Sequence, residues 1–331
     1  MFRTPHVSIR DENPVFDFEL RRVRRLAMPG RLWVYSALLQ VVPLLVTMVV
    51  YFASVWDYVI RYGVTSGYSG PYYRYYSDFY SAWSIFGVVT LVASGLMAFF
   101  GGIYYMSVSI HSINTQINNG HWDMLRLTPL GNLTVLRAKE AIAHIRAWRL
   151  MHIEIALRIV QVTLVGLLLF FQPDEIAQGR WLNEFGTLSQ IMGDLIRRPL
   201  LTLTQCTLIL TIACVWIIEP RWRMRTITTM GLALSARVHN VSMASVMAFF
   251  GLFGFHLAQA ALLSGTVWLI AGLWRVYYLS VYSRNDYDDN LFVFGQAASI
   301  LSFLWIAYLI YWAGRRLSWH SALRQAFKAE R

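Results

Sequence analysis

Glu154 and Arg158 are the residues whose type and spacing most invite a chemical reading. They stand four apart in an otherwise apolar stretch, so a helix places both on one face. Ionisable side chains at membrane depth mark functional sites by default. The plainer expectation is a mutual ion pair that closes a contact between helices. Three histidines come next: His111, His152 and His256 all lie in or beside apolar stretches. Neutral imidazole can ligate haem iron or chlorophyll magnesium. Nothing else in the chain supports such a cofactor, and no Cys-x-x-Cys-His attachment motif is present. Hydrogen bonds to a neighbouring helix are the commoner use of a buried histidine. Cys206 and Cys214 are eight apart, which is about 12 Å along a helix and too far for a disulfide. No Ser-His-Asp set or metal-ligand spacing is recognisable, and no Gly-x-x-x-x-Gly-Lys-Ser/Thr phosphate loop occurs. The residues point away from an enzyme.

Composition says what must position these groups. Of 331 residues, 56% are hydrophobic and only 14% charged. Soluble domains carry about 25% charged residues. The apolar residues gather in blocks of roughly 20, about the length that crosses 30 Å of hydrocarbon. The chain therefore reads as an all-α polytopic membrane protein forming a single transmembrane domain. Six spans are expected, at 32–56, 82–106, 150–171, 199–218, 241–262 and 291–312. The first block is too long for a signal-peptide core and reads as a retained span. Pro43 should kink it.

The segments between spans carry their own expectations. Residues 14–30 mix Val15, Phe16, Phe18 and Leu20 with four arginines. They read as a basic amphipathic helix lying at the inner surface. The tyrosine-rich stretch around Tyr72–Tyr80 reads as an aromatic belt at the outer headgroups. The piece Ile227–Ala236, after Glu219-Pro220, is too short to span and is expected in the interface. The block 241–274 is too long for one modestly tilted span. Gly265 and Gly272 interrupt it, so 264–274 is expected to form a re-entrant segment.

Orientation follows from arginine and lysine. Arg21, Arg22, Arg24 and Arg25 precede span 1. Arg126, Arg137, Lys139, Arg146 and Arg149 lie between spans 2 and 3. Arg221, Arg223, Arg225 and Arg237 lie between spans 4 and 5, and Arg315, Arg316, Arg324 and Lys328 follow span 6. The intervening loops hold fewer. The positive-inside rule puts both termini in the cytoplasm, across the cell membrane. The net charge of +11 is accounted for by these loops, without nucleic acid as a partner.

The stretch after span 2 contains Gly120, Trp122, Asp123, Leu125, Leu127, Thr128, Pro129 and Leu130, then Lys139. Near the start stand Asn13-Pro14-Val15 and Glu19-Leu20-Arg21. Before span 5 stands Gly231-Leu232-Ala233-Leu234-Ser235-Ala236. Taken in this order around six spans, these pieces resemble the permeases of ABC-2 type transporters over nearly the whole chain. The resemblance implies an elbow helix at 14–30 and a coupling helix at 113–130. It implies a membrane subunit energised by a separate ATP-binding-cassette ATPase, with a second permease copy or homologue as dimer partner and lipid around it. The substrate would be hydrophobic or amphipathic. ATP would sit on the partner, so no cofactor is expected in this chain. Coupling would fall to Gln116, Gly120, His121, Trp122, Asp123, Arg126, Thr128 and Pro129.

The physics of that segment agrees. Trp122 and its apolar neighbours give an anchor, His121, Asp123 and Arg126 give polar contacts, and Pro129 makes an abrupt stop. An ordinary interfacial helix touching only lipid is the plain alternative. The run Thr115-Gln116-Ile117-Asn118-Asn119 lacks the charges that family members often carry there. That departure favours a second reading, an accessory or structural subunit of a larger membrane complex such as a bioenergetic one. Such a subunit would keep the permease fold without the transport cycle.

Overall fold

A computed structural model describes residues 32–62, 71–119, 132–170, 199–238, 240–282 and 289–328. Among these, six α-helices and no strand occur. They are α1 (Leu32–Tyr62), α2 (Pro71–Asn118), α3 (Asn132–Phe170), α4 (Pro199–Arg237), α5 (Val241–Tyr282) and α6 (Asp289–Lys328). Four stretches are long and apolar enough to cross a membrane: Ala37–Asp57, Ser81–Ile110, Thr134–Leu167 and Ser242–Leu262. The chain is a membrane protein, all-helical among the described residues. Its exposed surface fits that solvent, with Val49, Ile85, Val88, Leu210, Phe250 and Leu257 all turned outward. In lipid such a surface is solvated rather than sticky.

Every helix outruns the segment expected from hydropathy. α2 has 48 residues, about 72 Å at 1.5 Å per residue. Apolar length measures only the part inside hydrocarbon. A helix whose extra turns pack against protein continues past it.

Helix α4 is the centre of the bundle, packing against α2, α3, α5 and α6, while α1 lies on α3. Two cores run along it. The larger joins Tyr105, Met106 and Ile110 of α2, Met151 and Ile155 of α3, Ile227 of α4 and Leu252 of α5. The smaller joins Ile113, Leu136 and Leu232, flanked by Trp319 and Leu323. That second cluster gathers the end of α2, the start of α3, and the C-terminal parts of α4 and α6 at one end of the bundle. A third contact, Tyr51 and Val55 with Leu167, holds α1.

Three expectations are overturned. The first concerns 264–274, which is no re-entrant segment: α5 is one helix from Val241 to Tyr282. A helical glycine costs only about 1 kcal/mol relative to alanine, too little to break a helix continued on both sides. The second concerns span 4, expected to stop at Glu219-Pro220. α4 runs through Pro220 to Arg237. The third concerns Ile227–Ala236, expected in the membrane interface. Ile227, Thr228, Thr229, Leu232 and Ser235 are instead buried in protein. The polar stretch before span 3 is likewise helical, since α3 starts at Asn132 rather than 150.

The segment 14–30 lies outside the described residues, as do Gly120, His121, Trp122, Asp123, Arg126, Thr128 and Pro129. Gln116 falls in the last turns of α2.

Candidate functional site

Helices α3 and α4 bring four charges together in the protein interior. Glu154 and Arg158 pair as their spacing requires, Oε1 to Nη2 at 3.1 Å, with side chains only 1% and 4% exposed. The pair is half of a larger cluster. Arg158 Nη2 also lies 2.6 Å from Glu219 Oε2. Arg223 donates through Nη2 to Glu154 Oε1, and its Nη1 stands 3.6 Å from Glu219 Oε2. Two carboxylates and two guanidinium groups make the cluster neutral. Neutrality matters because an isolated buried charge costs several kcal/mol. Helical spacing supplies both halves: 154 and 158 share a face of α3, and 219 and 223 share a face of α4.

Pro220 sits inside α4, and its missing N–H leaves the carbonyl four residues back without its helical donor. That carbonyl belongs to Trp216. Arg158 Nη1 donates to Trp216 O at 2.6 Å. The guanidinium carbon also lies 4.4 Å from the Trp216 ring centroid. One arginine thus bridges two carboxylates, fills the gap made by proline and stacks on an indole. This is why Glu219-Pro220 fails to end the helix.

The remaining helices fasten onto the same place. Tyr311 of α6 donates its hydroxyl to Glu219 Oε1. Gln259 of α5 donates to the Tyr311 hydroxyl at 2.6 Å. Thr226 Oγ1 donates to the Tyr311 carbonyl at 3.0 Å. Trp216 Nε1 donates to Gln161 Oε1 at 3.0 Å, and Gln161 Nε2 reaches Thr90 O of α2 at 2.7 Å. The Tyr105 hydroxyl, Glu154 Oε2, the Nε–H groups of Arg158 and Arg223, and His256 Nε2 are buried without hydrogen-bond partners among the described residues. The cluster keeps hydrogen-bonding capacity there. Its engaged atoms act as a fastening, because guanidinium groups already hold both carboxylates.

A second polar group lies toward the end where α2, α3, α4 and α6 meet. Arg315 Nη2 bonds Glu140 Oε1 at 3.0 Å and ties α6 to α3. His144 Nε2 lies 2.9 Å from Thr228 Oγ1. The Thr228 hydroxyl already donates to the Met224 carbonyl at 2.8 Å. The imidazole is therefore the donor to Thr228, which assigns the proton to Nε2.

The Gly231–Ala236 piece is a packing surface. Ser235 Oγ donates to the Ile110 carbonyl of α2 at 2.6 Å. One turn earlier, a Cβ on Gly231 would stand 1.9 Å from Ser109 Oγ, 3.0 Å from Ser109 Cβ and 3.1 Å from the Met106 carbonyl oxygen. Small residues four apart let two backbones approach. That spacing was available in the sequence as a packing signal.

The histidines have local settings. His152 bonds Trp148 O through Nδ1 at 2.9 Å and stacks on the Trp148 ring at 4.4 Å. His256 lies beside Phe99 and Phe255. The His111 side chain lies outside the described residues. Among the described residues no three His, Cys, Asp or Glu gather as a metal site. Cys206 and Cys214 are free and exposed.

Glu219, Arg223, Tyr311 and Gln259 escaped the sequence reading. Only the repeat of the acid-to-base i,i+4 spacing, in α3 and again in α4, signals the cluster beforehand. Comparison with protein-family models, with curated proteins and with solved structures finds no match.

Proposed function

We propose that this chain is the membrane-spanning permease subunit of an ATP-driven ABC-2 type transporter. It crosses the cell membrane six times, with both termini in the cytoplasm. It moves a hydrophobic or amphipathic substrate as a dimer, energised by a separate ATPase. The observation that carries this reading is the order of the three sequence pieces around the spans, with Gly120 to Leu130 between α2 and α3. The fold supports it in one respect. Ile113 before that segment and Leu136 after it pack with Leu232, Trp319 and Leu323. A knob between α2 and α3 would then rest on a packed base, and push on α4 and α6 when pushed.

Trp122 is the proposed anchor, because a large rigid ring in a groove dominates many interfaces. Trp122→Ala is expected to release the ATPase or uncouple hydrolysis from transport while the bundle still folds. The lipid-facing change Val165→Ala is expected to do neither. A pull-down with the cognate ATPase and an ATPase assay in lipid read both effects. Undiminished binding and substrate-stimulated hydrolysis in the Trp122 variant would leave the segment an interfacial helix.

Topology gives a second expected outcome. Tags at either terminus should be reachable only from the cytoplasmic side, since the basic residues alternate between loops. A terminus reached from outside removes the six-span arrangement.

The neutral run Thr115–Asn119 favours the second reading, an accessory subunit of a larger membrane complex. Co-purifying chains separate the two. A small ATPase with a phosphate loop supports transport, and pigment or redox subunits support the accessory role.

A further inference from the structure

One face of α6 changes chemistry along its length. Leu301, Trp305, Leu309 and Trp312 are exposed along it and apolar. The same face continues, four residues at a time, through Arg316, His320 and Arg324, all exposed. Trp312 is 45% exposed at the junction, and the Arg316 guanidinium carbon lies 4.9 Å from its ring centroid. Leu317, 71% exposed, flanks the junction. The adjoining face of this part of α6 is committed to protein. Ala322 is buried there, and Trp319 and Leu323 pack on Ile113, Leu136 and Leu232.

We infer that the Arg316–His320–Arg324 face of α6 binds the phosphates of anionic phospholipids where α6 leaves the bilayer. Three observations point to lipid as the occupant. The basic face is continuous with the lipid-facing one, so the same leaflet borders both. Four residues rise about 6 Å, which carries Arg316 and His320 from the tryptophan level through a headgroup layer. Helical side chains lean toward the helix N-terminus, which here is back toward the bilayer. Arginine then snorkels its stem along acyl chains and its fork to phosphate. Among the described residues no ion pair engages Arg316, His320 or Arg324, whereas Arg315 on the next face is spent on Glu140. Arg146 of α3 is also exposed, but α3 runs the other way, so its side chain leans away from the membrane.

The inference rests on α6 crossing the bilayer and is independent of transport. The test reconstitutes the full chain in nanodiscs of phosphatidylcholine with a minor fraction of phosphatidylglycerol, and measures the lipids retained after exchange into detergent. The wild type should enrich phosphatidylglycerol. Each arginine near an anionic surface contributes about a fivefold change in affinity. The Arg316→Gln, Arg324→Gln double variant should therefore lose most of the enrichment. Arg316→Lys, Arg324→Lys should keep most of it, and Arg146→Gln should keep all of it. Equal enrichment in the Gln double variant and the wild type overturns the inference, as does equal loss in Arg146→Gln. A spin label at Leu309 reports separately whether α6 crosses. A hydrocarbon signal there with no enrichment sinks the lipid site alone, and an aqueous signal sinks the crossing.

Discussion

Arg223→Gln is expected to destabilise the folded bundle by about 3–5 kcal/mol, the cost of breaking one partner out of a buried ion pair. The change leaves Glu154 and Glu219 with Arg158 as their one guanidinium, so the interior carries a net negative charge. Glu154→Gln should cost a similar amount with the opposite sign of residual charge, because Glu154 Oε1 accepts from both Arg158 and Arg223. The double variant Glu154→Gln, Arg223→Gln restores neutrality, leaving Arg158 on Glu219 at 2.6 Å. It should be more stable than the sum of the single changes by about 1–3 kcal/mol. Unfolding in mixed micelles, run as a double-mutant cycle, measures this coupling. Strict additivity would mean that the four charges act as two separate pairs. Tyr311→Phe removes one neutral donor to Glu219, and interhelical hydrogen bonds in membranes average about 0.6 kcal/mol. Charge, more than hydrogen-bond number, sets the ranking.

Gly231→Leu is expected to have the other large effect, preventing the close approach of α4 and α2. The first added carbon alone would stand 1.9 Å from Ser109 Oγ. Rotating that hydroxyl away gives up its bonds to the Tyr105 and Met106 carbonyls. The Met106 carbonyl oxygen and Ser109 Cβ would still be too near, so the helices must separate. Gly231→Ala should cost about 1–3 kcal/mol, the usual range for overpacking, and Gly231→Leu should give protein that elutes as aggregate. Ser109→Gly should recover part of the Gly231→Ala loss, because it removes two of the three clashing atoms. Ser235→Ala, which forfeits the bond to Ile110 O, should cost about 0.6 kcal/mol. Thermal unfolding in detergent ranks the four variants. A Gly231→Ala protein as stable as wild type would show that α2 and α4 have slack at this crossing.

Chemistry that is local in the chain is legible in its residues. Apolar block length announces membrane helices, and the i,i+4 spacing of Glu154 and Arg158 announces their pairing. A partner distant in the chain is not legible in this way. Glu219, Arg221, Arg223 and Arg225 look like a loop because charge beside a proline usually leaves the bilayer. Two of these four, Glu219 and Arg223, instead answer Glu154 and Arg158, and no local pattern encodes that match. The 264–274 segment misled for the converse reason. Its length exceeded the hydrocarbon, and glycine offered a place to break. A helix end that simply runs on costs less than a reversal with unpaired backbone groups. Ile227–Ala236 was misplaced because its moderate hydropathy resembles an interface, while its small residues were serving α2.

The carbonyl of Trp216 has a bearing on how the chain is made. In α4 taken alone, Pro220 would leave that oxygen without its helical donor, and an unpaired buried polar group costs about 1–3 kcal/mol. Its donor, Arg158, stands on the preceding helix. Synthesis delivers α3 before α4, so the guanidinium is already present when the proline emerges. Arg158 in turn lacks its full complement of carboxylates until Glu219 arrives. Each of the two helices thus leaves buried groups unpaired by itself, and the pair satisfies them.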